Sequence, residues 1–228
     1  MKPDSSQELD AEGEDRLRVS EIFKSIQGES SWAGLPCVFI RLAGCSVGCA
    51  FCDTAYAREG GTAMTVAEVV EKCLALSGRL VEVTGGEPLE QAACLGLVRR
   101  LIERGMTVLV ETSGTLPISG LPAEAVKIMD LKCPSSGVCA KNDWSNIEAL
   151  GPRDEVKFVI ADRADYEWSR AMIGKYDLTA RCKEVLVGCV FGAIEPQCVV
   201  AWILEDGLDV RFQMQLQKVI WAPGARGV

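Results

Sequence analysis

The sequence predicts an α/β fold: an incomplete, open barrel of parallel strands with helices on its outside. Three observations predict it. Short apolar runs alternate along the chain with stretches of helical periodicity, the pattern of parallel strands joined by crossover helices. The glycine-rich and polar motifs fall just after strands, where α/β barrels carry their active sites. The strand–helix units number fewer than eight, so the barrel is expected not to close.

Residues 1–16 are polar, acidic and without apolar periodicity, and read as a disordered tail ahead of one domain spanning 17–228. Leu17 to Ile26 alternates as a strand and runs into Gln27-Gly28-Glu29. Glycine there either makes a plain turn or lets backbone approach a ligand closely. Cys37 to Leu42 is an apolar run that reads as a buried strand. Arg41 near its end is a charge in an apolar strand: a surface arginine, or a fork placed to clamp a carboxylate.

Next comes Cys45-Ser46-Val47-Gly48-Cys49-Ala50-Phe51-Cys52, three cysteines spaced C-x3-C-x2-C. Three soft thiolates at a strand end suit an iron–sulfur cluster or zinc. Structural zinc needs four ligands, and the chain has no histidine to supply the fourth. A four-iron cluster on three cysteines keeps one iron open for a substrate or cofactor. The alternative is three small buried hydrophobes.

Thr65 to Ser77 is a helix opened by a capping box, Thr65 with Glu68. Its stripe Val66, Val69, Val70, Cys73, Leu74 makes Cys73 core packing. Arg79 to Thr84 is a strand tipped by Gly85-Gly86-Glu87-Pro88, which alone is compatible with a simple turn. A second amphipathic helix carries Cys94, Leu97, Val98, Leu101 and Ile102 and stops at Gly105. Met106 to Glu111 is a strand tipped by Thr112-Ser113-Gly114; Val126 to Leu131 is another, tipped by Lys132-Cys133-Pro134-Ser135-Ser136. Two more strands cover Val156 to Ala161 and Glu184 to Cys189. Helical patterns cover Trp144 to Leu150, Ala164 to Tyr176 and Pro196 to Glu205, and Arg211 to Ile220 reads as extended. Cys133, Cys139, Cys182, Cys189 and Cys198 form no C-x2-C pair, which speaks against a second cluster.

Composition narrows the class. With 48% hydrophobic and 25% charged residues in 228, the chain is an ordinary globular domain with a substantial core. No run of 18 apolar residues and no apolar signal core occur, so a cytoplasmic protein with no membrane partner is expected. The eleven cysteines are then expected to be reduced thiols. A net charge of −8 argues against nucleic acid as a direct partner.

Several stretches together carry a resemblance. They are Phe23-Lys24-Ser25-Ile26-Gln27-Gly28-Glu29, Phe39-Ile40-Arg41-Leu42-Ala43-Gly44-Cys45, Phe51-Cys52-Asp53-Thr54, Val83-Thr84-Gly85-Gly86-Glu87-Pro88-Leu89, Glu111-Thr112-Ser113-Gly114-Thr115 and Ala225-Arg226-Gly227-Val228. In this order the set resembles the 7-carboxy-7-deazaguanine synthases of the radical S-adenosylmethionine (SAM) superfamily. The resemblance implies the open radical SAM barrel. It also implies a lyase reaction converting 6-carboxy-5,6,7,8-tetrahydropterin to 7-carboxy-7-deazaguanine with loss of ammonia, on the route to 7-deazapurines such as queuosine. Cys45, Cys49 and Cys52 would hold a [4Fe-4S] cluster, and SAM would be regenerated each turnover. Phe51, Cys52, Asp53, Gly86, Ser113, Lys132, Cys133, Pro134 and Ser135 would contact SAM. Thr54 would hold Mg2+. Ile26, Gln27, Gly28, Glu29, Arg41, Thr84, Gln217 and Val228 would contact the pterin. A reductant such as a flavodoxin and a homodimer are implied as partners. Two positions depart from the family pattern: Cys189 in Gly188-Cys189-Val190-Phe191-Gly192, where relatives are expected to carry Ser-Pro, and Gln217, where they are expected to carry His. Two other classes remain open. An activase that installs a glycyl radical would share the cysteine and Gly-Gly-Glu motifs, and a ferredoxin-type carrier would need a fourth cysteine near the loop.

Overall fold

The structure is a computed structural model that describes residues 15–228. The expected acidic tail therefore lies outside the described residues except for Asp15 and Arg16, and Arg16 already opens the first strand. Among the described residues nine strands form one open mixed sheet: β1 (Arg16–Ile26), β2 (Pro36–Leu42), β3 (Thr62–Thr65), β4 (Leu80–Gly85), β5 (Thr107–Thr112), β6 (Val126–Asp130), β7 (Glu155–Ile160), β8 (Glu184–Cys189) and β9 (Arg211–Phe212). Their order is β3-β1-β2-β4-β5-β6-β7-β8-β9. From β2 to β9 every neighbouring pair is parallel.

The other end of the sheet corrects the all-parallel expectation. β1 pairs antiparallel with both β2 and β3. The connection from Ile26 to Pro36 holds no helix, and a parallel return needs a crossover of a dozen or more residues. The sequence reading missed β3, which is short and half exposed.

The helices are α1 (Val66–Ala75), α2 (Ala93–Glu103), α3 (Arg163–Lys175), α4 (Leu178–Arg181), α5 (Pro196–Asp206) and α6 (Leu216–Ile220). The capping box forms as read: the Thr65 side chain accepts from Glu68 N, and the Glu68 carboxylate takes Thr65 N–H. Trp144–Ala149 is a 3-10 turn rather than an α-helix. The expected extended stretch from Arg211 to Ile220 is a strand for only two residues and then the helix α6. Beyond the Gln213 N–H bond to Val187 O, the segment leaves the sheet edge, and its glutamines turn inward.

Side chains alternate across each strand with a period of two, and this divides the protein into two environments. Val38, Ile40, Val81, Val83, Val108, Val110, Phe158 and Val187 face the helices and form the larger core. Cys37, Phe39, Leu80, Leu109, Val126, Ile128 and Leu186 face the hollow and form a second, smaller one. Along this inner face the chemistry changes towards the strands' C-terminal ends: Phe39 is followed by Arg41, Leu80 by Glu82 and Thr84, Leu109 by Glu111, and Ile128 by Asp130. The strands thus deliver charge to one end of an apolar lumen.

Candidate active site

A single cavity of about 580 Å³ opens at that end, a volume suited to a small organic ligand together with a cofactor. The loop after β2 carries Cys45, Cys49 and Cys52 to its wall. Distant parts of the chain fasten this loop by its backbone. Gly44 N–H donates to Ala57 O, and Gly44 O accepts from Glu87 N–H at 2.9 Å. Ala50 N–H reaches Ser136 O at 3.0 Å. Lys141 Nζ donates to Val47 O at 2.7 Å, Arg58 Nη2 to Cys49 O at 2.7 Å, and Ser46 N to the Glu90 carboxylate at 2.8 Å. The Gly-Gly turn after β4 packs directly against it: a Cβ on Gly86 would stand 1.9 Å from Gly44 O and 2.9 Å from the Cys45 Cβ. Only glycine fits there.

The donor set fits an iron–sulfur cluster. All three thiols are free, half exposed and on the cavity wall. Burial pushes the Cys49 thiol up, and the nearby Lys132 ammonium works against that shift. Among the described residues no three cysteine or acidic side chains gather round one point as ligands of a single ion would. A cluster does not require that, because each thiolate binds a different iron.

The floor lies deeper. Lys157 Nζ, from β7, bonds Glu29 Oε2 at 3.0 Å, also bonds Glu111 Oε1, and sits 4.0 Å from Asp130 Oδ2. Burial alone would lower the Lys157 pKa, but Glu111, Glu29 and Asp130 reverse this and hold it well above the usual lysine value. Thr84 Oγ1 donates to Glu111 Oε2 at 3.2 Å. Glu82 is almost fully enclosed; burial first and Glu111 second push its carboxyl up to about 8. Arg41 donates through Nε to Glu21 Oε1 at 2.8 Å, and Tyr56 OH donates to the same oxygen at 2.7 Å. The two terminal guanidinium nitrogens of Arg41 are left without a protein partner among the described residues.

A third wall comes from the last part of the chain. Gln213, Gln215 and Gln217 alternate in sequence, and all three amides donate to the Glu29 carboxylate at 3.2, 3.0 and 3.2 Å. Gln215 and Lys218 also bond Asp53 Oδ2, at 3.2 and 2.9 Å. Burial would raise the Asp53 pKa; Lys218 outweighs it and the net shift is downward. Gly28 packs against Gln217 so closely that a Cβ would stand 1.8 Å from Gln217 Oε1.

Of the residues expected at the site, Ile26, Gln27, Gly28, Glu29, Arg41, Phe51, Asp53, Thr54, Thr84, Gly86, Ser113, Lys132, Gln217 and Val228 line the cavity with the three cysteines. Gln27 is buried with both ends of its amide engaged: Nε2 donates to Glu82 Oε2 at 2.5 Å, and Oε1 accepts from Glu29 N–H at 3.1 Å. Ser113 spends its N–H and hydroxyl on Glu87, at 2.7 and 2.5 Å. Thr54 does not cap the turn that follows it; among the described residues its hydroxyl has one side-chain hydrogen-bond partner, Cys52 Sγ at 3.8 Å.

Cys133, Pro134 and Ser135 do not line the cavity. Cys133 turns into the helix-side core, with Sγ 3.4 Å from Ser169 Oγ. Ser135 bonds Asp165 and Asp162 at the start of α3, and Pro134 is exposed. Sequence reasoning missed Glu82, Glu111, Asp130 and Lys157. The signal that singled out Arg41, a charge inside an apolar strand, is equally present in Val-Glu82-Val and Val-Lys157-Phe.

Comparison with known proteins agrees with this geometry. The Radical SAM superfamily model matches residues 39–174. The chain is 49% identical to the 7-carboxy-7-deazaguanine synthase of Chlorobaculum tepidum over 93% of this chain and 97% of that one. It is 41% identical to the synthase of Koribacter versatilis, over 93% and 100%. Its fold matches the crystal structure of QueE from Escherichia coli with a TM-score of 0.75, at 23% identity over 93% of this chain and 99% of that one. On its cysteine loop, its cavity and these relatives, the chain belongs to the 7-carboxy-7-deazaguanine synthase family of the radical SAM superfamily.

Proposed function

We infer that this chain is a ring-contracting lyase that converts 6-carboxy-5,6,7,8-tetrahydropterin to 7-carboxy-7-deazaguanine and ammonia. The observation that carries the reading is the junction of the C-x3-C-x2-C loop and the Gln27-Gly28-Glu29 loop on one cavity. Family membership implies a [4Fe-4S] cluster and SAM, which when bound supply the one-electron chemistry that starts hydrogen abstraction from the substrate. The protein supplies binding, orientation and shielding.

Cys45, Cys49 and Cys52 would hold the cluster. Phe51, Asp53, Gly86, Ser113 and Lys132 would border SAM. Arg41 is fixed at one edge by Glu21, and its free nitrogens suit a bidentate grip on the substrate carboxylate. Glu29 and Thr84 would face the pterin ring, and Val228 would close the pocket. Gln27 acts from behind, holding the 27–29 loop to β4. Lys157 neutralises the floor, and with the glutamine-bearing arm it excludes water around Glu29. The uncapped hydroxyl of Thr54 is a fitting Mg2+ ligand, since magnesium takes oxygen donors and keeps several waters. Thr54→Ala would lose most of any magnesium stimulation and keep its iron; an unchanged response refutes that assignment.

A reductant such as a flavodoxin would deliver the electron. A homodimer would cover exposed apolar residues such as Val219 and Ile220, and sedimentation tests that directly. Among the described residues no helix is long and apolar enough to cross a membrane. Reconstituted protein, incubated anaerobically with SAM, reductant, magnesium and the carboxypterin, should form the deazaguanine with many turnovers per 5′-deoxyadenosine released. One deoxyadenosine per product would overturn catalytic use of SAM and favour an activase-like reaction.

A further inference from the structure

Among the described residues Glu82 is the floor carboxylate without a directly bonded cation. Lys157 directly bonds Glu29 and Glu111, whereas Glu82 receives only the neutral amide of Gln27. It stands in β4 beside Phe39 of β2 and Leu109 of β5 in the sheet register, and both neighbours belong to the inner apolar cluster. An isolated carboxylate in such surroundings is strongly disfavoured and keeps its proton instead. The carbonyl oxygen of a carboxyl is its better acceptor, so the Gln27 hydrogen bond selects which oxygen carries the proton. Oε2 accepts from Gln27 Nε2 and is therefore the carbonyl oxygen, which leaves the O–H on Oε1. Among the described residues no protein group hydrogen-bonds Oε1, and this atom is not among the sealed, unpaired ones. The side chain lines the cavity.

We propose that Glu82 is a substrate-binding residue: a neutral carboxyl, oriented by Gln27, that donates its O–H from the cavity floor to an acceptor atom of the heterocycle. This rests on the synthase reading above. It divides the work among the carboxyls. Glu29 is an anchor already bonded by Lys157 and three amides, Glu111 is bonded to Lys157, and Glu82 alone offers a donor. The charged groups that face it are Glu111 from β5, Lys157 from β7 and Glu29 from the loop after β1, and the Cys37 thiol faces it from β2.

The test is a fluorescence titration of reconstituted holoenzyme, in the presence of SAM, with 6-carboxypterin. Wild type, E82Q and E82V are compared across pH. Glutamine keeps a donor and an acceptor but cannot ionise, so the ratio of wild-type to E82Q affinity cancels the ligand's own titration. That ratio should fall about tenfold between about pH 7 and pH 9 as the wild-type carboxyl ionises. At the lower pH, E82V should bind about tenfold more weakly than E82Q, the loss of one buried hydrogen bond. A flat ratio, or E82V binding as tightly as E82Q, overturns the proposal. Infrared spectroscopy of the wild type decides the matter even if the variants fold poorly. A carbonyl band of a protonated carboxyl should be present at neutral pH and shift when 6-carboxypterin binds, and its absence overturns the proposal. Wild type that forms product while the ratio stays flat loses only the Glu82 role. Wild type that neither binds nor turns over loses the synthase reading and this role together.

Discussion

The cysteine loop and the cavity floor border the same space but are held by opposite means. The loop presents half-exposed thiols, and its fastenings are backbone contacts from Arg58, Lys141, Ser136 and Glu87. None of those contacts uses a cysteine sulfur. The floor is held by its functional side chains themselves: Lys157 lies between Glu29, Glu111 and Asp130, and Gln27 ties Glu82 to the loop after β1. The difference separates chemistry from stability. On the loop a side chain can be removed and the scaffold stays. On the floor, removal of a side chain leaves buried charge uncompensated, so function and folding fail together.

The sharpest way to break this contrast is to alter the loop. Cys45→Ala, Cys49→Ala and Cys52→Ala should each abolish iron binding and turnover, with thermal unfolding of the metal-free protein nearly unchanged. Cys73→Ala, in the helix-side core, should keep both iron and turnover. Iron analysis beside calorimetry checks this; a large loss of metal-free stability in the loop variants would show that the thiols hold the fold as well.

Lys157→Met should do the reverse. It leaves Glu111 without its cation and Glu29 with neutral amides alone, while Asp130 keeps Lys132 at 2.8 Å; the cost is about 3–5 kcal/mol. Urea denaturation measures it, and a loss below about 1 kcal/mol, the range of exposed pairs, would mean water already screens the floor.

Gln217 lies between the two regimes: it lines the cavity and at the same time holds the Glu29 carboxylate and packs on Gly28. Gln217→Ala should weaken substrate binding by roughly 1–3 kcal/mol, the cost of an unmade buried hydrogen bond. Gln217→His should change turnover little across pH 6 to 8. A large gain from histidine would mean that the position exists to carry a proton, which glutamine cannot do.

The last effect is a slope with pH. Burial raises the folded-state pKa of Glu82 from the ordinary carboxylate range to about 8. Its contribution to stability is therefore complete below the unfolded pKa and is lost as pH rises towards and through the folded one. Wild type should lose stability relative to Glu82→Gln from about pH 5 to pH 9. Paired melting temperatures show the trend, and a wild type that holds or gains stability relative to Glu82→Gln as pH rises would place an ionised carboxylate on the floor.

The sequence by itself determined whatever is local. The C-x3-C-x2-C spacing, the Gly-Gly turn and the Thr65–Glu68 capping box each depend on residues within a few positions of one another, and the capping box forms as read; the strand–helix alternation holds from β2 to β8, while the antiparallel β1–β3 end was not legible. Tertiary structure alone decided the floor. Glu82, Glu111 and Lys157 come from three strands separated by crossover segments, and a period of two says that a strand has two faces without saying which one looks inward. The same reason explains Cys133, one residue away from the cavity-lining Lys132 yet packed on the helix side. It also explains the three alternating glutamines that leave the sheet edge and converge on one carboxylate, a partner more than 180 positions distant in sequence.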